Sequence, residues 1–123
     1  MLRKDSDAFD KFGEIYFSTI NHESIKAWHL HKESTLNYVC IKGNVKLVLY
    51  DDRKESPSKG ILQELILTPK NYFLVTIPPM IWNGFKGLDK EESIIANCLN
   101  MPHDEKEMIR IDPLDKSIDY KWS

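Results

Sequence analysis

Two histidines separated by one residue are the feature of this sequence that most directly suggests chemistry. They are His29 and His31 in the segment KAWHLHKE, residues 26–33. An imidazole titrates close to neutral pH, so it can bind a metal ion or exchange a proton with a substrate. It can also sit in a wall of the fold, hydrogen-bonded to its neighbours. The pair alone leaves these three interpretations open.

The elements that must position the histidines are predicted to be strands. Short segments rich in β-branched and aromatic residues alternate with turn-forming segments such as KGN and DDRKESPSKG. Short helices are predicted only at DAFDKF and within MPHDEKEMIRI. The pattern predicts one all-β domain over residues 1–123, a sandwich or jelly-roll barrel of antiparallel strands. The predicted strands are 13–20, 24–31, 36–42, 44–51, 61–68, 72–78 and 92–99.

The composition fits a single domain and argues against some partners. The 123 residues are 41% hydrophobic, and 17 basic and 19 acidic residues give a net charge of -2. No basic cluster is present in the sequence, so we do not expect a nucleic-acid partner. No apolar segment has the length of a membrane span or the character of a secretory signal, so we predict a cytoplasmic protein without a membrane partner. Cys40 and Cys98 lie in apolar segments, which is typical of buried thiols.

The strand predicted at 24–31 would place both histidines on one face. Successive side chains of a strand point to opposite sides, so His29 and His31 share a face with Ile25 and Ala27. The interior of a β-barrel that opens at one end is a common site for a small ligand. Two imidazoles facing that interior are candidates for contact with a substrate, while a structural role in the wall stays open.

A metal site is the less favoured interpretation of the pair. Jelly rolls of the cupin type typically bind an ion through His-x-His, a glutamate a few residues later and a third histidine on a later strand. Here Glu33 follows His31 too closely to match that glutamate, and Asn83 stands where the third histidine is expected. Two histidines are fewer protein ligands than a divalent metal normally recruits. We therefore predict neither a metal nor another cofactor.

Several segments together resemble the dTDP-4-dehydrorhamnose 3,5-epimerase family. They are KAWHLHKE, DDRKESPSKG, IPPMIWNGF and the late IDP followed by YKW, so the resemblance extends from Gly13 to Trp122. It implies a metal-free cupin that acts on a nucleotide-linked 4-keto-6-deoxy sugar for a surface polysaccharide, and a homodimer formed by sheet pairing. Family members carry a further strand before the segment with which this sequence opens. The sequence is therefore expected to be a trimmed version or an internal start.

The resemblance also implies roles for individual residues. A ketone at C4 of the sugar acidifies the hydrogens at C3 and C5, and a histidine is an efficient base for removing them. His29 matches the histidine that the family uses as this base, and Asp112 of IDP matches the aspartate that orients it. Lys26 matches an arginine that the family aims at the diphosphate. Arg53 lies in the matching DDRKESPSKG loop.

Other positions of the family pattern differ in this sequence. Ala96 stands where the family has the tyrosine that returns the proton, and Leu36 stands near its enolate-stabilising lysine. The charge that stabilises the enolate is therefore expected from another donor, either His31 or Lys46. Asn83, which replaces a histidine of the later motif, is expected to contact the substrate.

Two other functions stay open at this point. The sequence is also similar to the dTDP-sugar 3,4-ketoisomerases, in which a tyrosine on the preceding strand accompanies His-x-His. Tyr16 stands in that place relative to His29 and His31, and it would help the two histidines to move a proton between C3 and C4. Alternatively, the altered positions mean that the barrel only binds a nucleotide sugar or another carbohydrate.

Overall fold

The computed structural model describes residues 2–7 and 9–122. The described residues form nine strands and one short 3-10 helix. The chain crosses repeatedly between two antiparallel sheets, a four-stranded sheet in the order β1-β8-β3-β6 and a five-stranded sheet in the order β5-β4-β7-β2-β9. The predicted all-β architecture is confirmed. The strands are β1 Glu14–Ile20, β2 Ile25–His31, β3 Leu36–Lys42, β4 Val45–Tyr50, β5 Leu62–Leu67, β6 Val75–Ile77, β7 Trp82–Gly87, β8 Ser93–Leu99 and β9 Met108–Arg110.

Hydrophobic clusters lie on both faces of the five-stranded sheet. Alternation along β4 separates them, since Leu47 belongs to the cluster between the sheets and Val48 to the cluster on the outer face. The outer cluster contains Trp28 and Leu30 of β2, and Trp122 of the C-terminal segment packs against Trp28 with ring centroids 5.1 Å apart. Because the side chains of Trp28 and Leu30 pack in the outer cluster, His29 between them faces the barrel interior.

The strand β7 was not predicted from the sequence pattern. It contains Asn83, Gly84 and Gly87, which are typical of turns, yet it pairs with both β4 and β2. A Cβ on Gly84 would lie 2.5 Å from the Cβ of Ala27, and one on Gly87 would lie 2.3 Å from the backbone oxygen of Asn21. These glycines are required because neighbouring segments approach β7 closely, not because the chain turns there.

The predicted helix within MPHDEKEMIRI is wrong. The structure has only a single 3-10 turn at Glu105–Glu107, after which the chain continues as β9 alongside β2. The described residues of DAFDKF form no helix either, and Ala8 lies outside the described residues. The strand predicted at 72–78 is shorter in the structure, where β6 covers Val75–Ile77. A three-residue strand shows too little alternation to be recognised from sequence, which explains the error at β9.

In the described part of the chain, no helix has both the length and the apolar character needed to cross a membrane. Cys40 and Cys98 are buried free thiols, as their apolar segments predict. Burial raises the pKa of both thiols, which keeps them in the less reactive protonated form.

Candidate active site

A cavity of about 680 Å³ lies between the two sheets. This volume is within the range of about 300–1,000 Å³ that is typical of small-molecule sites. Strands of both sheets contribute to its lining, and both histidines of the His-x-His pair face it. The polar side chains that line the cavity are Glu14, Tyr16, Ser18, Lys26, His29, His31, Tyr38, His103 and Arg110.

Lys26 reaches the same cavity because β2 is irregular. Strict alternation would point Lys26 away from His29. The register of β2 against β7 shifts between these two residues, and a bulge of this kind changes the direction of side chains. Lys26 therefore lines the cavity with the histidines, while its ammonium group donates a hydrogen bond of 2.5 Å to the backbone oxygen of Thr19.

The ring of His29 is neutral at neutral pH. Burial, followed by the charges of Arg110, His31 and Lys26, lowers the pKa of His29 from its ordinary value of 6.5 to about 4. Within the described part of the chain, the side-chain hydrogen bond made to His29 goes to its backbone oxygen, from Nδ2 of Asn83 at 3.2 Å. The imidazole ring is thus left to the cavity, with a lone pair available to accept a proton.

His31 is paired with a buried carboxylate. Its Nδ1 lies 2.5 Å from Oε1 of Glu107, and the two side chains are only 6% and 5% exposed. The other carboxylate oxygen accepts hydrogen bonds from the backbone N–H groups of Glu33 and Ser34, at 3.2 and 3.3 Å. Burial alone would raise the pKa of Glu107, but the hydrogen bonds outweigh burial and hold the pKa below its ordinary value. The ionised carboxylate therefore fixes the orientation of the His31 ring.

Asp112 is not joined to His29 in the way that the resemblance implied. Its side chain is exposed, and its Oδ1 accepts a hydrogen bond of 2.8 Å from the backbone N–H of Leu114 in a turn. Among the described residues, no hydrogen bond or ion pair connects Asp112 with His29. The carboxylate that pairs with a histidine is Glu107, and its partner is His31. The sequence pattern missed Glu107 because the surrounding segment was predicted to be helical.

Two tyrosines line the cavity from the four-stranded sheet. The hydroxyl of Tyr16 on β1 accepts a hydrogen bond of 3.1 Å from Nδ2 of Asn97. The hydroxyl of Tyr38 on β3 donates one of 3.2 Å to Oδ1 of Asn83, which is itself fully buried behind the lining. Burial, and next the charge of Tyr16, raise the pKa of Tyr38 well above its ordinary value. Asn83 thus connects Tyr38 to the backbone of His29 rather than lining the cavity itself.

Arg110 is a second functional candidate that the sequence pattern missed. It is the register partner of His29 in the pairing of β9 with β2, and it lines the cavity. A guanidinium is permanently charged, so Arg110 supplies a fixed positive charge close to His29. Because a helix was predicted within MPHDEKEMIRI, the sequence pattern did not place Arg110 next to His29.

Arg53 and Lys46 do not line this cavity. Arg53 is bound to Asp51 of its own loop, with Nη2 2.9 Å from Oδ2 and Nε 3.0 Å from Oδ1. Lys46 alternates with the core residue Leu47, so it lies on the outer face of the five-stranded sheet. There its ammonium group lies 5.3 Å from the ring centroid of Tyr120. The structure thus places Lys46 on the wrong side of the sheet for the expected contact with an enolate.

In the described residues, no three His, Cys, Asp or Glu side chains stand together in a position to hold a metal ion.

Comparison with known proteins identifies the family. The sequence family described as dTDP-4-dehydrorhamnose 3,5-epimerase matches residues 2–123. The probable low-salt glycan biosynthesis epimerase Agl13 of Haloferax volcanii is 33% identical over 99 residues, which are 79% of this chain and 64% of Agl13. The chain thus matches slightly less than two thirds of the length of that relative. The spore coat polysaccharide biosynthesis protein SpsL of Bacillus subtilis is 26% identical over 125 residues, or 100% of this chain and 83% of SpsL.

Solved structures confirm the expected cupin jelly roll. The crystal structure of a dTDP sugar isomerase from Desulfovibrio desulfuricans superimposes with a TM-score of 0.96 at 39% identity, covering 99% of this chain and 78% of that one. The 3,5-epimerase of Legionella pneumophila in complex with dTDP-4-keto-L-rhamnose has the same fold, with a TM-score of 0.81 at 23% identity over 92% of this chain and 61% of its own. The predicted family is therefore confirmed: this chain belongs to the dTDP-4-dehydrorhamnose 3,5-epimerase family.

Proposed function

We propose that this protein is an enzyme that forms an enolate from a nucleotide-linked 4-keto-6-deoxy sugar, and that His29 is the base. The observation that carries the proposal is the environment of His29. Its ring faces a cavity of substrate size, and its lowered pKa keeps it neutral at neutral pH. The names of relatives support the substrate class, since the Legionella pneumophila enzyme was crystallised with dTDP-4-keto-L-rhamnose.

The chemistry follows from the position of the ketone. His29 takes the proton from the carbon next to the carbonyl, the electron pair of the C–H bond becomes the C=C bond, and the carbonyl π electrons move to oxygen. Arg110 and Lys26 face the same cavity, so their positive charges favour an anionic intermediate and a diphosphate-bearing substrate. Burial, and after it these charges, keep His29 unprotonated before the reaction begins.

Epimerisation also requires a proton donor on the opposite face of the sugar. Tyr16 and Tyr38 line the cavity from the four-stranded sheet, whereas His29 belongs to the five-stranded sheet. Tyr16 is the better donor, because it is 38% exposed and its hydroxyl accepts the hydrogen bond from Asn97, which leaves its proton free. The hydroxyl proton of Tyr38 is already engaged with Asn83. Tyr16 would thus act in place of the tyrosine that Ala96 replaces.

A homodimer is proposed from the exposed edge of the four-stranded sheet. The strand β1 is its edge strand, and the side chains of Phe12, Ile15 and Phe17 in and before β1 are exposed, Phe17 by 61%. An apolar edge strand of this kind favours pairing with a second copy. Light scattering should give the dimer mass, and Phe17→Lys should lower it toward the monomer mass. A monomer mass for the unaltered protein would contradict the proposal.

The proposed reaction is tested by proton NMR in deuterated water with dTDP-4-keto-6-deoxyglucose. Deuterium at C5, or at C3 and C5, with an inverted product is the expected result, and His29→Gln should abolish the label. A carbonyl that moves to C3 with new hydrogen at C4 would make the protein a ketoisomerase. Nucleotide-sugar binding without any exchange would make it a binding protein.

A further inference from the structure

We infer that His31, held by Glu107, is a second catalytic proton-transfer group, which exchanges a proton with the carbonyl oxygen of the sugar. The inference rests on the proposed function and assigns the group that handles the oxygen while His29 handles the carbon. Glu107 does not line the cavity and acts through His31, so it is a positioning residue.

His31 and Glu107 form a buried pair. A buried carboxylate loses its hydration, and this loss is compensated only if the group is paired and hydrogen-bonded. Glu107 receives such compensation from His31 at 2.5 Å and from the backbone N–H groups of Glu33 and Ser34. Its backbone is held as well, since the N–H of Lys32 donates to its carbonyl oxygen at 2.7 Å. Four contacts from the end of β2 and the segment that follows it thus fix Glu107 at His31.

The contact with Glu107 also fixes the orientation of the His31 ring. Because Nδ1 of His31 is engaged with Glu107, Nε2 is the ring nitrogen that remains for a ligand. His31 is one of the side chains that line the cavity, although it is only 6% exposed. A ring anchored at Nδ1 and open at Nε2 is the arrangement in which a carboxylate prepares a histidine for proton transfer.

The other candidate donors of the described residues are less suited than His31 to serve the carbonyl oxygen. Arg110 can donate hydrogen bonds to an oxyanion, but it cannot give up a proton. Lys46 lies on the outer face of the sheet, and Leu36 occupies the position near which the resemblance expects a lysine. The hydroxyl of Tyr38 donates its hydrogen bond to Oδ1 of Asn83.

The remaining donors of the described cavity lining are otherwise placed. Tyr16 is assigned to the opposite face of the sugar, and the ammonium group of Lys26 already donates to the backbone oxygen of Thr19. His103 is exposed, whereas His31 is buried and held by a carboxylate. We therefore assign to His31 both the donation to the oxygen and the return of the proton.

The proposed step conserves atoms and charge. His29 removes the proton from the carbon next to the ketone while the imidazolium of His31 gives its Nε2 proton to the carbonyl oxygen. The C–H electron pair forms the C=C bond, and the π pair of the carbonyl forms the new O–H bond. The product is the neutral enol, which is the enolate of the proposed function after its oxygen has taken the proton from His31. His29 is then protonated, and His31 is an imidazole beside the Glu107 carboxylate. The reverse step returns the proton from oxygen to His31.

The experiment compares His31→Gln, Glu107→Gln and Glu107→Asp with the unaltered protein. The rate of deuterium incorporation into dTDP-4-keto-6-deoxyglucose is measured from about pH 5 to about pH 10, a range that covers the alkaline limb set by the histidine acid. The acid limb, set by His29 with its pKa of about 4, lies below this range. His31→Gln should lower the rate at least about 100-fold, the usual contribution of a general acid. Glu107→Gln should move the alkaline limb to lower pH, because it removes the negative charge that contacts the ring of His31. Glu107→Asp should restore part of this shift.

His22→Gln is the matched control, since His22 is an exposed histidine outside the cavity whose ring contacts the backbone oxygen of Asp89. The titratable groups that share the cavity with His31 are Glu14, Tyr16, Lys26, His29, Tyr38, His103 and Arg110, and all are unchanged in the variants. A purely structural Glu107 would lower the melting temperature without moving the alkaline limb. That result, or an unchanged rate in His31→Gln, would overturn the inference.

Failure of the proposed function gives a different result. If the unaltered protein incorporates no deuterium, both the proposed function and the inference are wrong. If the unaltered protein incorporates deuterium and the His31 and Glu107 variants do so at the same rate, only the inference is wrong. A second measurement does not depend on the variants folding. In the unaltered protein with 15N-labelled histidine, adding the keto sugar should shift the Nε2 signal of His31. An unchanged signal during turnover would overturn the inference.

Discussion

The two walls of the cavity differ in the chemistry that they present to a ligand. The histidine wall, formed by Lys26, His29 and His31 of β2 and Arg110 of β9, combines two titratable rings with two permanent or nearly permanent positive charges. The tyrosine wall, formed by Tyr16 of β1 and Tyr38 of β3, presents neutral hydroxyls.

The hydrogen-bond partners of the two walls differ in the same way. A carboxylate holds a ring of the histidine wall, whereas amides of Asn97 and Asn83 hold the tyrosines. In the proposed reaction, a proton would leave the sugar toward the histidine wall and arrive from the tyrosine wall.

The largest expected effect comes from removing the base of the histidine wall. His29→Gln keeps a polar side chain of similar reach but cannot accept a proton at neutral pH. We expect deuterium incorporation to fall by about 10²- to 10⁴-fold, the usual contribution of a general base. Circular dichroism should show an unchanged fold. Incorporation at the normal rate in a folded His29→Gln protein would assign the base to another residue.

The two tyrosines should give different results. Tyr16→Phe removes the proposed donor, so deuterium exchange by the histidine wall should continue while formation of the inverted product falls by about 100-fold. Tyr38→Phe is the matched comparison, because it leaves Oδ1 of the buried Asn83 without its donor. Its main effect should be on the free energy of unfolding, a loss of about 1–3 kcal/mol measured by urea denaturation. If the inverted product is lost only in Tyr38→Phe, the donor is Tyr38.

Arg110 should control the pH at which the histidine wall works. The pKa of about 4 places the acid limb of kcat/KM, which reports the free enzyme, well below the ordinary range of a histidine. Replacing Arg110 by Gln removes one positive charge, so protonation of His29 becomes easier and the acid limb should move to higher pH. Burial is the largest cause of the lowered pKa, so only part of the shift should disappear. Lys59→Gln, at an exposed position outside the cavity, has the same change in charge and should leave the limb in place.

The same lowered pKa should appear in the stability of the protein. The unfolded state binds a proton at His29 below about pH 6.5, whereas the folded state does so only below about 4. His29 therefore lowers the free energy of unfolding as the pH falls from about 6.5 to about 4, and has no further effect below that range. Urea denaturation at several pH values should show a weaker decrease for His29→Gln across this window. A decrease equal to that of the unaltered protein would contradict the assigned pKa.

The sequence predicted the strands of the tyrosine wall and β2 of the histidine wall, but not β9 of the histidine wall. Seven of the nine strands of the described residues were recognised. Segments such as Leu36–Lys42 contain aromatic and β-branched residues, here Tyr38, Val39 and Ile41, and are followed by a clear turn. The alternation of β2 correctly placed His29 and His31 on one interior face. The pattern failed where tertiary contacts override local preference, at Gly84 and Gly87 of β7. It also failed at β9, which is too short to show a recognisable alternation. Because this strand was not predicted, neither Arg110 nor Glu107 was identified as a site residue.

The smallest expected effect concerns Asp112, for which the family resemblance and the structure predict different roles. The resemblance makes Asp112 the partner of His29, while in the structure its carboxylate is exposed and accepts the N–H of Leu114 in a turn. An asparagine keeps an acceptor for that turn, so Asp112→Asn should change the free energy of unfolding by less than about 0.5 kcal/mol and leave the pH profile of exchange unchanged. Glu107→Gln is the contrasting variant, because it alters a buried carboxylate that is bound to a histidine. A loss of exchange in Asp112→Asn comparable with that in His29→Gln would mean that the C-terminal turn moves toward His29 when substrate binds, since the described geometry offers no contact through which Asp112 could act.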